Sequence, residues 1–93
     1  MHFLSELDGL LAKRKQELPA DSYTSSLFQA GIDRILRKIG EEAAEVIVAA
    51  KNQQSVDIVN ESADLLFHLM LVLHATGHSL EDVATVLKTR HRE

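Results

Sequence analysis

Between Leu65 and Leu73 every residue except His68 is apolar. A half-exposed strand would alternate, and a surface helix would confine its apolar residues to one stripe, so this run reads as a helix that is hydrophobic nearly all round. Such a helix needs neighbours on two sides. In a chain of 93 residues that can build only one core, this requirement shapes the whole architecture. The intramolecular core covers one side, and Phe67, Met70 and Leu71 are expected to seek burial against a second copy of the chain, giving a homodimer. The alternative is a central helix buried within the monomer.

The rest of the chain also spells helices. Phe3, Leu4, Leu7, Leu10 and Leu11 recur at helical spacing until Pro19 interrupts them, which predicts a first helix over about 4–17. Ser22 is placed to cap a short helix through Phe28 and Gln29, with Gly31 as its left-handed terminator. From Ile32 the set Ile35, Leu36, Ile39, Ala43, Val46, Ile47 and Ala50 keeps a 3.6-residue period up to Asn52. A polar turn over 52–55 leads into a helix from about Val56 to Thr76, closed by Gly77. A last helix starts at Ser79, with Asp82 in a capping-box arrangement. With 1 proline, 4 glycines, no tryptophan and 4% aromatics, the inventory suits helix far better than sheet. The expected fold is all-α, a bundle of four to five helices forming a single domain over 1–93.

Composition also removes function classes. A formal charge of −4 argues against nucleic acid as a partner, since phosphate neutralisation needs basic excess. The absence of cysteine rules out disulfide scaffolds, thiolate zinc sites and cysteine nucleophiles. Glu6 and Asp8 interrupt the first apolar stretch, unlike a signal peptide, and no apolar run reaches the ~20 residues of a membrane span. The expectation is a cytoplasmic chain with no membrane partner.

The two long helices each carry carboxylates at i, i+3, Glu42 with Glu45 and Glu61 with Asp64, and Glu41 stands just before the first pair. Members of each pair lie about 60° apart, on a flank beside the apolar stripe. From Glu45 to the turn at Asn52 is about 10 Å of helix, and from Val56 to Glu61 about 8 Å. In an antiparallel hairpin the pairs therefore meet at one height. Four facing carboxylates repel, and hard divalent cations that prefer oxygen ligands, Mg²⁺ or Mn²⁺, relieve the repulsion. Lys38 falls on the same flank, where its ammonium could meet a phosphate. Gly40 marks either a close approach by another group or a packing contact. His68, one turn beyond Asp64, reads as a buried or supporting histidine rather than a metal ligand. A di-iron carboxylate bundle would need Glu-x-x-His, which neither Glu45 nor Glu61 begins. P-loops, nucleophile elbows and dinucleotide glycine fingerprints are absent, so phosphate chemistry here would be metal-dependent.

Lys38-Ile-Gly-Glu41-Glu42-Ala-Ala-Glu45, followed by Glu61-Ser-Ala-Asp64-Leu-Leu-Phe-His68, resembles the EExxE and ExxD signature of the all-α nucleoside triphosphate pyrophosphatases of the MazG type. Ser22-Tyr23-Thr24, Gly31, Ala49-Ala50-Lys51 and the closing Arg90-His91 narrow the likeness to the phosphoribosyl-ATP pyrophosphatase family of histidine biosynthesis, over nearly the whole chain. The resemblance implies Mg²⁺-dependent hydrolysis of phosphoribosyl-ATP to phosphoribosyl-AMP and pyrophosphate, a cyclohydrolase on a separate chain for the next step, and metal ligands at Glu42, Glu45, Glu61 and Asp64. Phe67 stands where the family often has tyrosine. Glu41 or Glu45 is the candidate to orient or deprotonate the attacking water, and Arg34, Lys38 and Lys51 are candidate phosphate contacts. A house-cleaning pyrophosphatase for ordinary or damaged nucleotides is the alternative within the same class. From another class, a non-catalytic helical dimerisation module would leave the acidic flank merely solvated.

Overall fold

The structure, a computed structural model, describes residues 2–92; the two terminal residues of the expected domain lie outside them. Five helices follow in order: α1 (His2–Glu17), α2 (Tyr23–Ala30), α3 (Ile32–Lys51), α4 (Ser55–Ala75) and α5 (Leu80–Arg90). Among the described residues there is no strand, and the expected helices are all present.

The helix ends explain the chain's course. α1 stops at Pro19, and Leu18 just before it takes φ 49°, a left-handed value uncommon for a non-glycine residue. Ser22 caps α2 by accepting from the Ser25 N–H. Gly31, expected in the left-handed helical region, instead has φ 101° and ψ 169°, a backbone region open essentially to glycine alone. That conformation lets one residue end α2 and start α3.

α3 and α4 form the antiparallel hairpin at the centre of the molecule. They are joined through a Schellman turn in which Gln54 N–H bonds to the Ala49 carbonyl and Gln53 N–H to that of Ala50. The left-handed position of this motif, usually glycine, is held by Gln53 at φ 56°. The same motif closes α4, this time with Gly77 at φ 83° and with His78 N–H bonded to Leu73. α5 begins with the expected capping box between Ser79 and Asp82.

The core is Leu11 of α1, Leu27 of α2, Ile35 of α3, and Met70 and Leu71 of α4, with Leu7, Phe28, Leu66, Phe67 and Leu80 packed around it. The expected outward face of α4 is therefore corrected: Met70 and Leu71 are 0% exposed within one chain, and Phe67 is half-buried. α1, α2 and α3 together supply the neighbours that an all-round apolar helix requires. The apolar surface left over lies elsewhere, at Ile47 (68% exposed) and Val48 on α3 and at Val56 (73%) and Val59 on α4.

α5 buries no residue completely and is tied to the bundle mainly through Asp8. That carboxylate accepts from His74 Nε2 at 2.7 Å, from the Leu80 N–H at 2.9 Å and from the Glu81 N–H at 3.3 Å. It thus joins α1, the end of α4 and the open N-terminus of α5 at one point.

Candidate active site

The α3/α4 hairpin brings three of the four expected carboxylates together. One oxygen each from Glu42, Glu45 and Glu61 lies within 4.8 Å of the others. Asp64, one turn further along α4, is exposed and stands outside this cluster. Glu42 is buried, Glu61 half-buried and Glu45 exposed, so the cluster runs from the hairpin interior out to solvent.

Its electrostatics follow from that gradient. Glu45 is held above the usual glutamate range, chiefly because the Glu61 carboxylate faces it as a hydrogen-bonding partner that favours its protonated form and as a like charge. Glu42 and Lys38 pull the other way without prevailing. Lys38 Nζ stands 3.4 Å from Glu42 and 3.6 Å from Glu41. The Glu42 carboxylate is the main reason its ammonium is held above the usual lysine range, so it stays charged. One lysine cannot balance four neighbouring acids, and Oε2 of Glu42 and Oε2 of Glu61 are both buried with no hydrogen-bond partner. Orphaned carboxylate oxygens are costly in a protein interior. Hard oxygen donors converging in this way fit a divalent cation of the Mg²⁺ type.

A polar groove beside the cluster is lined by Ala30, Asp33, Arg34, Arg37, Lys38 and Glu41. Arg34 and Lys38, both candidate phosphate contacts, therefore share one surface with Glu41. Lys51 does not join them: it is exposed in the last turn of α3, about 20 Å along the helix from Lys38. On the other side of the acids a second groove, lined by Glu45, Val48, Ala49, Gln54, Asp57 and Glu61, adds Asp57, which the i, i+3 pattern did not single out. Gly40 has nothing within 4 Å of where a Cβ would stand, so no packing inside this chain requires it.

His68 is buried and bonded at both ring nitrogens, to the Asp64 carbonyl through Nδ1 at 2.7 Å and to the Tyr23 hydroxyl through Nε2 at 3.2 Å. This agrees with a supporting histidine. Tyr23 was singled out only as part of a family word, because the pairing joins positions 45 residues apart and leaves no local spacing to detect.

A family model described as phosphoribosyl-ATP pyrophosphohydrolase matches residues 4–91. The chain is 54% identical over 91 residues to the phosphoribosyl-ATP pyrophosphatase of Leptospira biflexa serovar Patoc, covering 98% of this chain and 99% of that protein. To the phosphoribosyl-ATP pyrophosphatase of Streptococcus sanguinis it is 55% identical over 78 residues, 84% of this chain and 75% of that protein. It is also 48% identical over 90 residues to the histidine biosynthesis bifunctional protein HisIE of Bacillus subtilis, where it covers 97% of this chain and spans only 43% of the relative.

Proposed function

The chain belongs to the phosphoribosyl-ATP pyrophosphohydrolase family, and we propose from that premise that it hydrolyses phosphoribosyl-ATP to phosphoribosyl-AMP and pyrophosphate in L-histidine biosynthesis, using Mg²⁺. The observation that carries the metal requirement is the pair of buried, unpartnered oxygens on Glu42 and Glu61, two of the three carboxylates that converge within 4.8 Å across the hairpin.

Glu42 and Glu61 would hold the cation, and Asp64 could join them by a change of rotamer. When bound, the ion supplies positive charge against the phosphate oxygens on which negative charge builds as pyrophosphate departs. The chain's own groups do the rest. Lys38 and Arg34, at the rim of the groove, pair with the polyphosphate and orient it. Glu45 is the better of the two candidates for the water. Its proton affinity is raised, which moves a carboxylate toward the range where it serves as a general base, whereas Glu41 is engaged by Lys38. In this reading the water oxygen attacks the α-phosphorus, the α–β bridging bond breaks, pyrophosphate leaves, and the proton passes to Glu45.

The same reading includes a homodimer, through a face other than the one the sequence suggested. Leu36 and Ile47 are exposed three turns apart on one side of α3, with Gly40 between them and open to close approach. Val56 and Val59 leave further apolar area on α4.

The test is pyrophosphate release from phosphoribosyl-ATP compared with ATP, dATP and dUTP, with and without EDTA, beside complementation of a histidine auxotroph. Release from phosphoribosyl-ATP alone, abolished by EDTA, is the expected outcome. Preference for ordinary nucleotides would favour a house-cleaning role, and full activity in EDTA would remove the metal from the reading.

A further inference from the structure

The acids of the hairpin stand between two unlike grooves. Along α3, Arg34, Arg37 and Lys38 line the first. Glu42 and Glu45 follow, and Val48 and Ala49 then line the second together with Gln54, Asp57 and Glu61. Lys38 precedes Glu45 by about 10 Å of helix, and Ala49 follows it by about 6 Å. A triphosphate drawn into the cationic groove with its α-phosphorus at the acids therefore directs its nucleoside into the second groove.

That second groove has the wrong charge for an ordinary nucleoside. Val48 and Ala49 give it an aliphatic wall suited to a flat ring. Every charged residue lining it is acidic: Glu45 and Glu61, and Asp57 one turn nearer the hairpin tip. Among the described residues no cation pairs with Asp57. Oε2 of Glu61 and Oε2 of the neighbouring Glu42, a residue only 6% exposed, are buried without a partner, so this end of the hairpin is incomplete without bound positive charge. A cation held by those two leaves Asp57 still uncompensated.

Adenine is uncharged at neutral pH and gains little from such a surface. The base of phosphoribosyl-ATP carries its second ribose on N1, and this changes its chemistry. The uncharged form of an N1-substituted adenine is an imine, a much stronger base than adenine, and the ring takes up a proton to become a cation delocalised over N1 and the exocyclic nitrogen.

We propose that the groove at the tip of the α3/α4 hairpin receives this cationic, N1-substituted base, and that Asp57 is a specificity-determining residue that accepts a charge-assisted hydrogen bond from its exocyclic nitrogen. This rests on the nucleotide reading of the site and extends it, by assigning substrate selection to a charge on the base.

The test compares, by calorimetry with Ca²⁺ replacing Mg²⁺ to suppress turnover, N1-methyl-ATP, whose base is cationic, with N1-methyl-ITP, which carries the same methyl and triphosphate on an uncharged base. The ratio of the two affinities is internal to each variant, so a general loss of affinity cancels. Wild type is expected to prefer N1-methyl-ATP by about ten-fold, the scale of one charge-assisted hydrogen bond. Asp57→Asn should reduce the ratio to about two-fold, and Asp57→Glu, which keeps the charge, should retain most of it. Arg34→Gln should weaken both ligands and leave the ratio unchanged. No preference in wild type, or an undiminished one in Asp57→Asn, overturns the assignment, and equal loss in Asp57→Asn and Asp57→Glu overturns recognition by charge. Turnover of phosphoribosyl-ATP in Mg²⁺ is read separately: its absence with the preference intact would sink the proposed reaction and leave the base contact standing, and turnover without the preference would do the reverse.

Discussion

Glu45 and Glu61, on different helices and 16 positions apart in sequence, bring carboxylate oxygens within 4.8 Å of each other. The Glu61 carboxylate makes Glu45, the more exposed of the two, harder to ionise. Glu42 completes the arrangement from one turn away on the same helix as Glu45.

Removing these charges should separate activity from stability. Glu42→Gln, Glu45→Gln and Glu61→Gln are each expected to lower turnover by at least about a hundred-fold, the scale of lost base or charge-stabilising groups, while the metal-free fold is retained. Melting followed by circular dichroism should show Mg²⁺ raising the midpoint of wild type, as a ligand that binds only the native state must. A shift that survives undiminished in a Glu42→Gln, Glu61→Gln double variant would place the cation elsewhere.

The two shifted carboxylates act on acid stability in opposite directions. Asp8 lies below its ordinary 3.8 because, against the opposing effect of burial, the Leu80 and Glu81 N–H groups and His74 favour its charged form. Its contribution is thus present above about pH 4 and lost as pH falls through the lowered value. Glu45, raised above 4.5, disfavours the metal-free fold when ionised, and that cost is relieved as pH falls. Denaturant titrations between about pH 3 and 6 should therefore show Asp8→Asn flattening the acid-side loss and Glu45→Gln removing the gain.

Asp8→Ala should cost about 2 kcal/mol at neutral pH, since it leaves a helix N-terminus and His74 without their charged acceptor. The loss should concentrate in α5, which has no fully buried residue to hold it. Hydrogen exchange of the α5 amides is the direct readout, and uniform protection across that helix would contradict it.

Met70 and Ile47 divide core from surface. Met70→Ala should destabilise the monomer by about 2 to 5 kcal/mol through the cavity it leaves. Ile47→Asp should leave the fold intact and shift the sedimentation coefficient from dimer to monomer, because an unpaired charge is costly in an apolar interface. An Ile47→Asp chain that sediments as the wild type would move the dimer face elsewhere.

Gln53 occupies a left-handed position at φ 56°, where a side chain costs roughly 1 kcal/mol that glycine avoids. Gln53→Gly should raise the stability measured by urea titration by about 0.5 to 1 kcal/mol, glycine's larger unfolded entropy offsetting part of the gain.

Legibility from sequence followed the range of each interaction. Helix positions, the Ser22 and Ser79 caps and the register of Glu42, Glu45 and Glu61 all depend on residues near one another in the chain, and each could be read there. The facing of Met70 and Leu71 could not. A helix apolar on every side has no preferred direction of its own, so only the positions of α1, α2 and α3 decide which residues point inward. Asp8 with His74, 66 positions apart, and Tyr23 with His68 are products of the assembled fold and left no periodic trace. Asp64 shows the opposite case: its spacing from Glu61 was visible, but spacing alone does not fix whether an exposed rotamer turns inward.

The turn between α3 and α4 sets a rule for how this gene can change. Its Schellman geometry tolerates glutamine where glycine is customary, so the letters of the turn are open to drift. Its length is not. One residue inserted after Gln54 and absorbed into α4 would advance every later position by about 1.5 Å and rotate it by about 100°, carrying Glu61 out of reach of Glu42 and Glu45. Insertions and deletions at this tip, on a surface loop where they are ordinarily harmless, should be rejected as firmly as the loss of a carboxylate.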